Sequence, residues 1–186
     1  MELGGKAPLV VFEDVDLDEV VNGAAFACFI ASGQTCVTGA RLIIQDTIFD
    51  AFGYFYEPTV LSNVTPDMEI VKEEVFGPVV AAYSFKDEAE AIRLANDSQY
   101  GLGAAVWTTN IKRAHRVAHN LDAGIIWLND HHRNDPSSPW GGMKNSGIGR
   151  ENGLDALRSY SQGKSVVVGF GDEKFDWFVN EKVRYG

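Results

Sequence analysis

"VVAAYSFKDEAEAIRLANDSQYGLGAAVWTT" (79–109) reads as strand, helix and strand in one run. Its opening "VVAAYSF" (79–85) is an unbroken apolar stretch of strand length. "KDEAEAIRLANDS" (86–98) then puts acids in a first turn, where they match the helix macrodipole, and sets Ala89, Ile92, Leu94 and Ala95 on one side. "GAAVWTT" (103–109) returns to strand character at loop distance. Strands joined through a crossover helix lie parallel, so this stretch assigns the chain to the α/β class.

Working outward, the same alternation recurs. Further strands are read at "LVVF" (9–12), "RLIIQ" (41–45), "GIIWLN" (124–129) and "KSVVVGF" (164–170). A helix opens at Asp16, an N-cap with Glu19 three residues on, and carries Leu17, Val20, Val21, Ala24, Ala25, Cys28 and Phe29 on its apolar side. Cys28 is thereby read as core. A second, "NIKRAHRVAHNL" (110–121), turns Ile111, Ala114, Val117, Ala118 and Leu121 inward. The expected fold is a mostly parallel sheet flanked by helices. "HRNDPSSPWGGMKNSGIGRENG" (132–153) is dense in Gly, Pro, Ser and Asn and reads as a long ordered loop, a type that often carries function.

The 186 residues suffice for one domain with a real core. A formal charge of −10 repels phosphate backbones and anionic lipid, which argues against nucleic-acid and membrane partners and for small molecules or proteins. Two cysteines are too few for a disulfide framework, and the N-terminal residues do not resemble a signal peptide, so a reducing, cytoplasmic setting is expected. No apolar run approaches the roughly 20 residues that span a bilayer.

Candidate chemistry starts at "GQTCVTGAR" (33–41), where Cys36 sits in a loop between a helix end and a strand, among small residues. A thiol so placed can face a cleft, yet free cysteines are among the most buried residues, and from the loop alone an inert thiol stays open. His115 and His119 stand four apart, but Arg116 occupies the place of a zinc protease's glutamate and no ligand set is completed. They and His131–His132 are read as surface or loop histidines, with no metal. "GIGREN" (147–152) and "GLGAAV" (101–106) contain G-x-G without the strand–helix setting of a dinucleotide fingerprint. Glu2 in "MELGGKAP" stands against two glycines and Glu73–Glu74 in "VKEEVFGPVV" come before an aromatic and a Gly-Pro turn, and each alone reads as a solvated surface acid.

Taken together these stretches resemble the aldehyde dehydrogenase superfamily. "ELGGK" (2–6) is similar to the segment bearing that family's general-base glutamate, and "GQTC" (33–36) to the one bearing its nucleophilic cysteine. The two lie 34 residues apart, the family's spacing. "EEVFGPV" (73–79) resembles its cofactor-ribose motif, and "YGLGAAVWT" (100–108), "GIIWLN" (124–129) and "PWGGMKNSGIGRENG" (139–153) match its later strands and glycine-rich loop.

The resemblance implies roles. Cys36 attacks an aldehyde, and Glu2 activates the water that opens the resulting thioester. Glu74 and Phe76 hold the ribose and nicotinamide side of NAD or NADP, Leu3 and Gly4 line the nicotinamide pocket, and Asn129 shapes the substrate end. The backbone amide of Cys36 helps stabilise the oxyanion. It also implies two omissions relative to the family: the N-terminal Rossmann-type cofactor domain, and about 59 residues between Cys36 and Glu74, which stand only 38 apart. The second is expected near "DAFGYFYEPTV" (50–60). Residues 1–158 are then a truncated catalytic domain and 159–186 an oligomerisation arm and tail. The expected partner is a second copy or a full-length homologue. Two further expectations follow: a silent paralogue acting by association, and a nucleotide-independent thiol esterase.

Overall fold

The computed structural model describes residues 1–53, 60–62 and 64–171. In chain order the elements are β1 (Pro8–Val11), α1 (Leu17–Phe29), β2 (Arg41–Gln45), α2 (Phe49–Gly53), β3 (Val60–Leu61), α3 (Glu69–Lys72), β4 (Val80–Phe85), α4 (Glu88–Asn96), β5 (Tyr100–Gly101), β6 (Gly103–Trp107), α5 (Ile111–His119), β7 (Ile125–Leu128), β8 (Met143–Lys144) and α6 (Gly153–Ser159). Six strands form one sheet in the order β3-β4-β2-β1-β6-β7, every pairing parallel. β5 and β8 make a small antiparallel pair beside it.

Both faces of the sheet are covered, which is why its strands read as continuous apolar runs. Leu9, Val11, Leu42, Ile44, Ala82, Ala105 and Trp107 point to one side and pack with Val20, Ala24, Ala27 and Cys28 of α1. Their alternates Val10, Ile43, Ala81, Tyr83, Phe85, Ala104 and Val106 meet Ala91, Leu94 and Ala95 of α4 and Val117 of α5. The period-2 alternation of side chains along a strand divides the core this way. The caps follow the sequence: Asp16, Asp87 and Asn110 each accept a hydrogen bond from the backbone N–H three residues on.

Asp14 locks the C-terminal edge of the sheet. Its carboxylate accepts from the hydroxyls of Thr108 and Thr109 and from the Asn110 backbone N–H, and pairs with Arg113 at 3.3 Å. Partial burial opposes the charge, but the Thr108 and Thr109 hydroxyls, Arg113 and the Asn110 N–H outweigh it and hold the carboxyl below its ordinary range. A depressed folded-state pKa gives stability present above the unfolded value and lost as pH falls through the folded one. Urea midpoints measured across that acidic window are expected to fall with pH in the wild type and to flatten in Asp14→Asn.

Three sequence expectations change. "KSVVVGF" (164–170) forms no ladder, and Val167 is 94% exposed. A strand needs a neighbouring edge for its N–H and C=O groups, and this segment pairs with none among the described residues. Ile111, expected inward, is 65% exposed because it opens α5 before the helix reaches the sheet. His131, read as surface or loop, is in a loop but buried, stacked on Trp127 at 4.7 Å, and burial, with His132 adding, pushes its pKa down to about 3. The expected junction at 50–60 lies partly outside the described residues, which resume at Val60 in β3. Among the described residues no helix is long and apolar enough to cross a membrane.

Candidate active site

Cys36, Glu2 and Glu74 lie on segments that enter β2, β1 and β4, so a parallel sheet brings all three to its N-terminal edge. Cys36 occupies a turn closed by the Thr38 N–H to the Thr35 carbonyl at 3.0 Å. The hydroxyls of Thr35 and Thr38 meet at 2.7 Å, and Thr38 also donates to the Gly33 carbonyl. Just beyond it, the Gly39 N–H donates to the Ala27 carbonyl and the Cys28 thiol donates to the Gly39 carbonyl, tying the turn to α1.

The Glu2 segment approaches this turn through two glycines. A side chain on Gly5 would collide with the carbonyl oxygen of Cys36, and one on Gly4 with the carboxylate of Glu74. The Gly5 N–H donates to Glu74 Oε1 at 3.0 Å. These absent side chains let three backbone segments meet, and the thiol of Cys36 faces Glu2 Oε1 at 3.7 Å. Gly5→Ala must therefore displace the nucleophile turn. The expected result is a loss of thiol acylation by an activated ester of about 100-fold, read as burst rate, with the fold retained by circular dichroism.

Cys36 is half-buried, and that burial pushes its thiol above the ordinary range, with the Glu2 carboxylate, its hydrogen bond and Glu74 adding to the effect. The residue's own backbone N–H pulls the other way. Burial and the neighbouring carboxylates thus favour the protonated thiol.

Gly5, Gly33, Thr35, Thr38, Glu74 and Phe76 line a small cleft beside the turn. Phe76 stands at its mouth, 51% exposed, in a left-handed backbone conformation. Leu3 is half-exposed on the Glu2 segment. On another side of Glu2 an open depression of about 330 Å³ includes Trp140, Glu151 and Tyr160 in its lining. Asn129 is not brought to this edge. It follows the C-terminal end of β7, and its side-chain amide bonds the Thr108 N–H and C=O. Among the described residues no group of three His, Cys, Asp or Glu side chains could hold a metal ion.

A sequence profile of the aldehyde dehydrogenase family matches residues 1–53 and 51–166. The chain belongs to the aldehyde dehydrogenase family. An aldehyde dehydrogenase of Emericella nidulans is 36% identical over 234 residues, covering 94% of this chain and 47% of the fungal protein. A peroxisomal aminoaldehyde dehydrogenase of Pisum sativum is 36% identical, covering 96% and 48%. A solved betaine aldehyde dehydrogenase of Staphylococcus aureus, in complex with NAD+, superposes with a TM-score of 0.90 at 33% identity, covering 96% and 48%. The chain thus spans about half the length of the aldehyde dehydrogenases it matches. Since 94% of 186 residues is about 175, some 59 of the 234 positions aligned with the fungal protein have no counterpart here. The two profile segments meet at residues 51–53, the place where the sequence put that omission.

Sequence reasoning missed Gly5, Thr38, Arg41 and Ser146 as parts of this site. All four sit inside stretches already singled out, but only the smallness of Gly5 and the hydroxyl of Thr38 were available as signals. The others act only through long-range contacts.

Proposed function

We propose that this chain carries the nucleophile and general base for NAD(P)-dependent oxidation of an aldehyde to the carboxylic acid. The observation that supports it is the 3.7 Å approach of Cys36 Sγ and Glu2 Oε1 across two loops 34 residues apart. Glu2 takes the thiol proton and passes it to solvent, and the thiolate adds to the aldehyde carbon to give a thiohemiacetal on Cys36. The Cys36 backbone N–H helps hold the developing oxyanion. A nicotinamide, when bound, supplies the hydride acceptor that leaves a thioester on Cys36. The half-exposed Glu74 carboxylate and the exposed Phe76 ring line the cleft, with Gly4 against Glu74, and fit the ribose and nicotinamide end of such a cofactor; Leu3, on the Glu2 segment, is proposed to line its nicotinamide side. Glu2 then removes a proton from water as it attacks the thioester carbonyl, the C–S bond breaks, and acid and thiol are released.

The proposed substrate is an aldehyde carrying an amine or quaternary ammonium group. Relatives named for aminoaldehyde and betaine aldehyde support it, as does the depression whose lining includes Glu2, Glu151 and Trp140, with Arg150 engaged by the Gly142 and Gly149 carbonyls, in a chain of net charge −10. Carboxylates and an aromatic face both attract a cation. Asn129 is proposed to brace the β6 and β7 ends, the work its two bonds to Thr108 describe, and to affect the substrate side only through the loop that follows. The compartment proposed is the cytoplasm, in keeping with a sequence that holds only two cysteines.

A second reading, association with a full-length homologue or another copy, is favoured by the exposed Tyr160, Val166, Val167, Val168 and Phe170. It treats 1–158 as the catalytic unit and 159–186 as the arm. One assay separates the readings: NADH formation by the purified chain with aminoaldehydes and neutral aldehydes, beside Cys36→Ala. Turnover lost in that variant, and faster with cationic aldehydes, is expected. Turnover that appears only after adding a full-length relative supports association instead.

A further inference from the structure

Ser146 is fully buried, and the chemistry above does not use it. Its hydroxyl donates to the Gly4 carbonyl at 2.7 Å and accepts from the Gly101 N–H at 3.0 Å. Its carbonyl accepts from the Leu3 N–H at 2.9 Å. One residue therefore binds the backbone at Leu3 and Gly4, the two successive positions just after Glu2, and anchors it to β5. The next residue continues the seam: Gly147 pairs with Glu2 as an antiparallel bridge, and the Ile148 N–H donates to the Met1 carbonyl. The Glu2 segment is thus held from the glycine-rich loop through Ser146, while Gly5 abuts the Cys36 carbonyl.

We infer that Ser146 is the positioning residue that sets the distance between Glu2 and Cys36. It touches neither reacting group and acts by fixing the backbone that carries the base. The inference rests on the pair proposed above. Without the hydroxyl, Gly4 C=O and Gly101 N–H lose their shared partner, and the segment is free to move away from the thiol. With Glu2 displaced, the Cys36 thiol loses a neighbouring negative charge and ionises at lower pH.

The test is the pH profile of Cys36 alkylation by iodoacetamide, which does not reach the buried Cys28. Glu2→Gln is expected to move the midpoint to lower pH and to raise the rate at neutral pH several-fold. Ser146→Ala is expected to move it the same way. Thr108→Val removes an equally buried hydroxyl at the opposite edge of the sheet and is expected to lower thermal stability without moving the profile. A shift in Glu2→Gln with none in Ser146→Ala overturns the positioning role alone. No shift in Glu2→Gln overturns the pair itself. Native-state hydrogen exchange on the wild-type chain gives a check independent of how the variants fold: the Leu3 and Gly101 amides are expected to be protected together, and a rapidly exchanging Leu3 amide contradicts the clamp.

Discussion

Glu2→Gln is expected to convert the chain from a catalyst of ester hydrolysis into a single-turnover acceptor. With an activated ester, Cys36 still acylates, and one equivalent of the leaving group is released in a burst. Steady-state turnover then falls by about 100-fold to 10,000-fold, the usual contribution of a positioned general base. Glutamine keeps the shape and loses the proton acceptor, so the separation of burst from turnover isolates the role of the carboxylate. Equal loss of both phases would mean that Glu2 acts on the thiol, as its proton acceptor or its positioner, and not on the water. An unchanged steady state would remove it from the chemistry and dispose of the thiol-esterase expectation in its present form.

Arg41→Met is expected to cost about 3 kcal/mol or more of folding stability, measured by urea denaturation. Arg41 opens β2 and is buried, with its guanidinium donating to the carbonyls of Lys6 at 3.0 Å, Leu94 at 2.9 Å and Ala95 at 2.8 Å. Two of those carbonyls belong to the last turn of α4, where a cation complements the helix dipole. The third adjoins Gly5, so the same fork joins α4 to the segment that bears Glu2. Methionine fills much of the volume and supplies no donor, leaving three buried acceptors without this partner. For a domain whose net stability is about 5–15 kcal/mol, that loss is a large fraction of the total. A change below about 1 kcal/mol would show that water reaches these carbonyls. Arg41→Lys is expected to recover only part of the loss, because a single ammonium cannot span the fork.

The parallel sheet was legible because its strands and helices are local patterns. The "VVAAYSF" run, the acids of Glu88 and Glu90 and the N-cap Asp16 each announce an element without reference to the rest of the chain. Cys36 and Glu2 were legible only as a pair, through the resemblance of their two motifs and the spacing between them. Arg41 reads in sequence as a residue entering a strand, and nothing near it signals that two of its partners lie more than fifty residues away. Ser146 is hidden for the same reason, since its partners Gly4 and Gly101 are distant in sequence and its surroundings read as turn. At "KSVVVGF" strand character is strong, yet a strand also requires an edge, and among the described residues this segment meets none. Asn129 shows a third kind of limit. Its place in the motif suggested the substrate end, while its amide is committed to the Thr108 backbone at the other edge of the sheet.

The central claim is that Cys36 is a nucleophile served by Glu2. The measurement that meets it most directly is peptide mass spectrometry of the chain quenched during reaction with an activated ester, in wild type and in Glu2→Gln. The account predicts one acyl group, on the peptide containing Cys36, transient in the wild type and persistent in the variant. An acyl group on any other residue, or an adduct at Cys36 that clears equally fast in both proteins, would contradict it.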